Sequence, residues 1–340
     1  MYPRELARVE RSGFVESRHL GVAVVCDAEA KVVAAIGDPA TPVYPRSAVK
    51  PFQAIATARV LEAGAGPEPT AEARAVSLAS ASGSHAGEPV HVEAVRATLA
   101  AAGLDEGALR CPPALPRDPG DRAAAEAAGG PASIWHNCSG KHAWFLVAQA
   151  GLRGRRPGVP LAGYLDPGGP LQRAVTAELS GWTGVTPGHV GVDGCGAPTL
   201  VQPLAGLATA FARLAAGERD GAAELLAAVR QRPVLLGGRR ALDTALVQAT
   251  GGRVMAKVGA EAVYGAADLR SGRGLALKVL DGAARAAGPA LLAVLGALGW
   301  LDEAELAQLE PMAAAPVTGG GRPVGAVRPA PGSVVTFEHG

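Results

Sequence analysis

Ser47 and Lys50 stand three residues apart in Arg46-Ser47-Ala48-Val49-Lys50-Pro51-Phe52-Gln53, at the head of an apolar, helix-like stretch. On a helix, residues at that spacing share a face and their side-chain tips can meet. A serine hydroxyl is a poor nucleophile until a neighbour takes its proton, and an unprotonated lysine can take it. The amine must then be neutral near pH 7. Lowering a lysine from about 10.4 to ~7–8 needs about 4 kcal/mol, which burial or nearby positive charge can supply. Pro51 lacks an N–H and is tolerated only in a helix's first turn, so Ser47 falls at or just before the helix N-terminus, where free N–H groups stabilise developing negative charge.

Lysine usage sharpens this reading. Of 32 basic residues only five are lysine, at positions 31, 50, 141, 257 and 278, and the other 27 are arginine. Arginine cannot be deprotonated in a protein, whereas a neutral lysine can act as a base or a metal ligand. Lys50, Lys141 and Lys257 each sit in a Gly/Ser/Ala-rich context beside other reactive residue types, unlike Lys31 and Lys278. Lys257 lies in a strand-like run free of other charge until Glu261. It is therefore either an edge-strand surface residue or a second tuned amine. Ser82 and Ser84, beside His85, form a second candidate hydroxyl pair in a polar, glycine-containing turn that feeds a helix.

Cys138 and Cys195 also lie in glycine-containing turns rather than on apolar faces. His136, Lys141 and His142 surround the first, and Asp193 stands two residues before the second. Thiolate plus nitrogen donors is a ligand set of Zn²⁺, and two such cysteines with one nitrogen and a water would make an open tetrahedral site. A disulfide or two unconnected thiols are the alternatives. Asn137, the only asparagine in the chain, lies four residues before Lys141.

These residues sit in a chain of 340, 48% hydrophobic and 19% charged, enough for a large core in a soluble protein of one or two domains. With 32 basic against 31 acidic residues there is no electrostatic case for nucleic acid or an acidic membrane, so the expected partner is a small molecule. The amino terminus lacks the apolar core of a signal peptide, and the longest apolar run, near 290–301, is too short to cross a bilayer. A cytoplasmic location is expected, and the four scattered cysteines do not suggest a disulfide-stapled domain.

Residues 21–37 predict a hairpin, followed by helices over 48–64 and 89–102 and another from Ala143. Segments 105–132 and 152–169, rich in Pro, Gly, Asp and Arg, are expected to be long connections. Helices are predicted at about 170–181, 198–216 and 219–231, and strands at 253–258, 262–267 and 273–279. Helices at about 280–299 and 301–311 and a strand over Ser333 to Glu338 complete the pattern.

Taken together, the segments ESRHLG (16–21), YPRSAVKPFQA (44–54), SGSHAGEPVH (82–91), HNCSGKHA (136–143), GVDGCGAPT (191–199) and MAKVGAEAVYGAA (255–267) resemble the L-asparaginase II family. The resemblance spans nearly the whole chain in order. It implies a β-lactamase/glutaminase-like α/β fold, with a mixed, mainly antiparallel sheet flanked by helices and a helical subdomain. One domain covers residues 1–340 in this reading, either undivided or as two lobes. The implied chemistry is hydrolysis of the side-chain amide of L-asparagine to L-aspartate and ammonia in a homodimer. The family's Ser-Lys pairs fall on Ser47 with Lys50 and on Ser84 with Lys257, and its zinc ligands on Cys138, Lys141 and Cys195. Ser47 is expected to attack the amide with Lys50 or Lys257 as base, with Ser84 as relay or as nucleophile in its place. Arg46 is expected to pair with the α-carboxylate, Asp193 and His142 to meet the α-amino group or orient a metal ligand, and His85 to bind substrate. A glutaminase or other Ser-x-x-Lys amidase is the nearest rival, and a non-catalytic, zinc-stabilised amino-acid-binding protein is a rival from another class. The sequence departs from the family pattern at Gly169, where His is usual, at Ala262, where glycine is usual, and at Gly83, where a bulkier residue is frequent.

Overall fold

The computed structural model describes residues 2–64, 69–156, 158–314 and 316–330. The strand expected over Ser333 to Glu338 lies outside them.

An antiparallel sheet of eight strands forms the middle layer. Its strands are β1 (Arg4–Arg11), β2 (Phe14–Cys26) and β3 (Val32–Ile36), then β8 (Val254–Gly259), β9 (Val263–Asp268) and β10 (Arg273–Val279), and last β11 (Pro316–Gly319) and β12 (Arg322–Pro329). They run in the order β11-β12-β1-β2-β10-β9-β8, with β3 on β2. Four short strands pair outside the sheet: β4 (Pro42–Val43) with β7 (Gln202–Pro203), and β5 (Val190–Val192) with β6 (Pro198–Leu200).

Alternation along the strands feeds two cores. Val22, Val24 and Cys26 of β2 enter the core on one face, while Ala23 and Val25 enter the core on the other. Both faces are therefore covered, which explains why these strands read as continuous apolar runs.

Eight helices of the described residues make up the larger layer. They are α1 (Lys50–Glu62), α2 (Ala71–Ser82), α3 (Pro89–Ala100), α4 (Pro119–Ala127), α5 (Ser139–Arg155), α6 (Pro170–Thr183), α7 (Leu204–Ala216) and α8 (Ala222–Gln231). The single turn α9 (Val234–Gly237) leads to α10 (Leu242–Ala249), and α11 (Ala284–Ala297) and α12 (Glu303–Ala313) cover the opposite face with it. This is the expected α/β class, an antiparallel sheet flanked by helices. None of the helices is long and apolar enough to cross a membrane among the described residues.

Three expectations shift. The connection expected over 105–132 contains α4, whose N-terminus is capped by the Asp118 carboxylate accepting from Gly120 and Asp121 N–H. The helix expected from residue 198 begins at Leu204, because 198–203 are taken up by β6 and β7. The charged amino terminus, given no element above, is strand β1, zipped to β12 from Ala7↔Pro329 to Arg11↔Gly325.

The sheet rests on α7 through glycines. A Cβ on Gly274 would lie 2.1 Å from Ala208 O and Ala212 N, and one on Gly265 would lie 1.9 Å from the Phe211 ring. Backbone cannot yield as a flexible side-chain tip can. Gly274→Ala is therefore expected to destabilise the protein by about 3 kcal/mol or more through overpacking, read as a lowered urea midpoint. A midpoint equal to wild type would show that the helix does not bear on the strand this closely.

Candidate functional site

Ser47 lies in a tight turn of helix, Arg46–Val49, that runs directly into α1, with Pro51 in its first turn as expected. Arg46 adopts a left-handed conformation with φ of 52°. For a non-glycine residue that carries strain, which surrounding contacts must hold. Two such contacts are visible. The Arg46 Nε donates to the Asp193 carboxylate, and β8 presses against the turn at Gly259, where a Cβ would lie 2.3 Å from Pro45 O.

Lys50, at the start of α1, has no exposure to solvent. Its Nζ lies 2.6 Å from Gly83 O, 3.0 Å from Asn137 O and 3.1 Å from Ser84 Oγ. Burial pushes its pKa below the ordinary value, with the charge of Lys141 adding to that, against the thiols of Cys138 and Cys195. A carbonyl oxygen can only accept. A neutral amine therefore gives its two N–H groups to Gly83 and Asn137 and turns its lone pair to the Ser84 hydroxyl. The serine in contact with Lys50 is Ser84, not Ser47. Ser47 is half-buried and its hydroxyl makes no hydrogen bond to another described residue.

Lys257 is likewise fully buried, although β8 is an edge strand. Helix α10 covers that edge, and Asp243 Oδ2 accepts from both Lys257 Nζ (3.1 Å) and Val258 N–H (3.1 Å). Burial lowers Lys257 to about 8, against the pull of Asp243. Its partner is thus a carboxylate, and it is not in hydrogen-bond contact with Ser84. Asp243 was missed above, although a lone carboxylate between Leu242 and Thr244-Ala245-Leu246 was a visible signal of a buried pair.

The loop 133–138 and the start of α5 bring Cys138 and Lys141 against the β5–β6 turn. Ligand atoms of Cys138, Asp193 and Cys195 all lie within 4.8 Å of one another. Lys141 Nζ is 3.4 Å from Cys195 Sγ. Cys195 Sγ faces Asp193 Oδ2 at 3.6 Å; the neighbouring Cys195 thiol, Lys50 and Lys141 hold Cys138 well below the usual thiol range, and the pairing leaves Cys195 above it. Burial opposes the charge of Lys141, yet Cys195, Cys138 and Asp193 keep its pKa raised. Two sulfurs, a carboxylate and an amine converge here, a donor set that suits a borderline-soft cation once the amine is deprotonated. The other two cysteines are buried and inert, Cys26 pushed up to about 11 and Cys111 to about 12 by burial.

Of the two histidines among the site residues, His85 is an internal strut, whereas His142 keeps a buried Nε2 without a partner among the described residues. His85 Nδ1 accepts from Gly87 N–H (3.1 Å), so Nε2 carries the proton and donates to Ser139 Oγ (2.8 Å), which donates onward to Ile134 O. His85 has no ring nitrogen left for substrate, and it is stacked on His91 at 5.0 Å. It fixes the loop that carries Cys138. His142 is buried against Tyr164 Oη (2.7 Å), which also accepts from Arg110 N–H. Burial depresses both histidines well below the ordinary value.

A model of the L-asparaginase II family matches residues 7–329, and the chain belongs to that family. Comparison with curated proteins returns no match.

The Lys257–Asp243 pair has a measurable signature. An unfolded lysine keeps its proton to its ordinary value of 10.5, whereas Lys257 in the fold releases it at about 8. Between those values the unfolded chain binds the extra proton, so this group makes stability rise with pH across that window. The rise is on the order of 3 kcal/mol. Urea unfolding at pH 7.5 and 10.5 is expected to show that gain in wild type and not in Lys257→Met/Asp243→Asn. Equal pH dependence in both would mean Lys257 is not depressed.

Proposed function

We propose that this protein is an L-asparaginase that hydrolyses the side-chain amide of L-asparagine through an acyl-enzyme on serine. The observation that carries the reading is the solvent-free Lys50 nitrogen held by two carbonyls and facing the Ser84 hydroxyl, in a chain of this family. Neutral Lys50 takes the Ser84 proton as Oγ attacks the carboxamide carbon. The same proton then passes to the departing nitrogen, the C–N bond breaks and ammonia leaves. Water gives a proton to Lys50, attacks the ester carbon and releases aspartate, and Ser84 recovers its hydrogen. The Arg46–Asp193 pair is complementary to a zwitterionic head, Arg46 taking the α-carboxylate and Asp193 the α-ammonium. Lys257 sets the charge and packing behind this site from its place on β8. A homodimeric, cytoplasmic enzyme of one domain over residues 1–340 completes the proposal.

Zinc belongs to it as well. Cys138, Cys195 and Lys141 would hold Zn²⁺, which when bound supplies a Lewis acid and a fixed positive charge at the pocket wall. Metal analysis is expected to find about one zinc per chain in wild type and almost none in Cys138→Ser or Cys195→Ser. Full metal content in both variants would place any ion elsewhere.

A second reading has its own support. Ser47 is more exposed than Ser84, has an unbonded hydroxyl, and follows the strained Arg46 that faces the substrate head. In this reading Ser47 forms the acyl bond and Ser84 relays its proton to Lys50.

Purified protein is expected to release ammonia from L-asparagine with kcat/KM about 10-fold or more above that for L-glutamine, since one methylene is worth ~1–3 kcal/mol in a pocket. A preference for L-glutamine would make the protein a glutaminase instead, and no ammonia from either would remove the amidase reading. Ser84→Ala is expected to lower kcat by more than about 10³-fold. Mass spectrometry of quenched reactions then finds the acyl group on the peptide carrying Ser84, or on that carrying Ser47 if the second reading holds.

A further inference from the structure

The cavity beside the Arg46–Asp193 pair has two polar walls that nothing above uses. Besides Arg46, Asp193 and Lys141, its polar lining includes Thr199 and Gln202 along with Gln53, Gln172 and Thr176. Thr199 and Gln202 are over nine-tenths buried, Thr199 being 8% and Gln202 6% exposed. Thr199 Oγ1 and Gln202 Nε2 have no hydrogen-bond partner among the described residues. Buried polar groups are nearly always paired, and here two unpaired ones line one cavity.

Their positions are fixed by backbone pairing to the loops of the site. Gln202 pairs with Val43, two residues before the Pro45-Arg46-Ser47 turn, and Thr199 pairs with Gly191 in the hairpin that carries Asp193. The strand pairs hold the backbone of both residues at this wall. The cavity volume is about 20 Å³, room for about one water or one ligand oxygen. An amide nitrogen only donates, so the group that meets Gln202 Nε2 must be an acceptor. A carboxylate is acceptor-only, and Arg46 already supplies the charge that would draw one here.

We propose that Gln202 and Thr199 determine specificity for the α-carboxylate of the substrate, one oxygen of which enters this cavity and accepts from Gln202 Nε2 and the Thr199 hydroxyl. This rests on the reading of Arg46 and Asp193 as the amino-acid head site. The two residues do not touch the reacting amide, so their effect falls on binding rather than on the chemical step.

The test is steady-state kinetics of Gln202→Met and Thr199→Val on L-asparagine and on 3-aminopropanamide, which is asparagine without its α-carboxylate. Gln202→Met is expected to raise KM for L-asparagine by ~10- to 100-fold with kcat little changed, and Thr199→Val by a smaller factor. Neither variant should change KM for 3-aminopropanamide. Thermal midpoints should equal or exceed wild type, because no hydrogen bond is lost and an unpaired buried donor is removed. An equal rise in KM for both substrates, or an unchanged KM for L-asparagine, overturns the inference, as does a lowered midpoint with unaltered kinetics. Should wild type release no ammonia from either amide, the asparaginase reading falls and calorimetry with L-aspartate judges the cavity alone. Wild-type binding that Gln202→Met weakens about 10-fold supports it, and absent or unweakened binding overturns it.

Discussion

A lysine nitrogen without access to water is stable only if acceptors surround it or its proton leaves. For Lys50, three separate parts of the chain supply the nitrogen and its acceptors, and burial pushes its pKa below the ordinary value. The nitrogen comes from the head of α1, one carbonyl from Gly83 after α2, and the other from Asn137 before α5. Moving a charged ammonium out of water costs several kcal/mol even after relaxation. Two neutral carbonyls do not offset that, whereas they saturate the two donors of a free amine. The packing of α1, α2 and α5 and the basicity of Lys50 are thus one constraint. Gly83 belongs to it too: a Cβ there would lie 2.4 Å from Leu235 O, so in this chain the backbone that carries the carbonyl packs too closely on that loop for a side chain.

The site is also a place where the fold tolerates awkward backbone. Arg46 at φ 52° is held between Asp193 and the bare backbone of Gly259. In the β8–β9 turn, Glu261 and Ala262 take φ of 60° and 55°. Two consecutive left-handed residues match the twist of a tight hairpin, which is why glycine suits position 262 and alanine there carries strain. That hairpin carries Lys257 and, through Gly259, supports the turn before Ser47.

Local pattern revealed what local physics determines. The hairpin of β2 and β3, helices α1, α3, α6 and α8, and strands β8 to β10 all fall near their expected positions, because periodicity and turn residues mark them. The join of β1 to β12 did not show, since charges interrupt Arg4–Arg11 and its partner lies more than 300 residues away. Asp118-Pro119 ahead of an alanine run was a legible start for α4, hidden by the Pro/Gly content around it. At the site, the residue types were legible and the partnerships were not. Spacing joins Ser47 to Lys50, but the fold turns the lysine to Ser84, which no sequence separation encodes. His85 has the composition of a ligand and the bonding of a strut, a distinction that only Gly87 and Ser139 can make.

Three lysines retained in an arginine-rich chain meet three different fates. Lys50, among carbonyls and a hydroxyl, is pushed down by burial. Lys257 is lowered to about 8 by burial, with Asp243 pulling against it. Lys141, equally buried, is raised, because two thiols and a carboxylate surround it. The sign therefore follows from the balance between burial and the charges around each amine. Arginine would remove that choice at all three places, since it stays charged in every one. At position 50 a permanent charge would leave no lone pair for the serine.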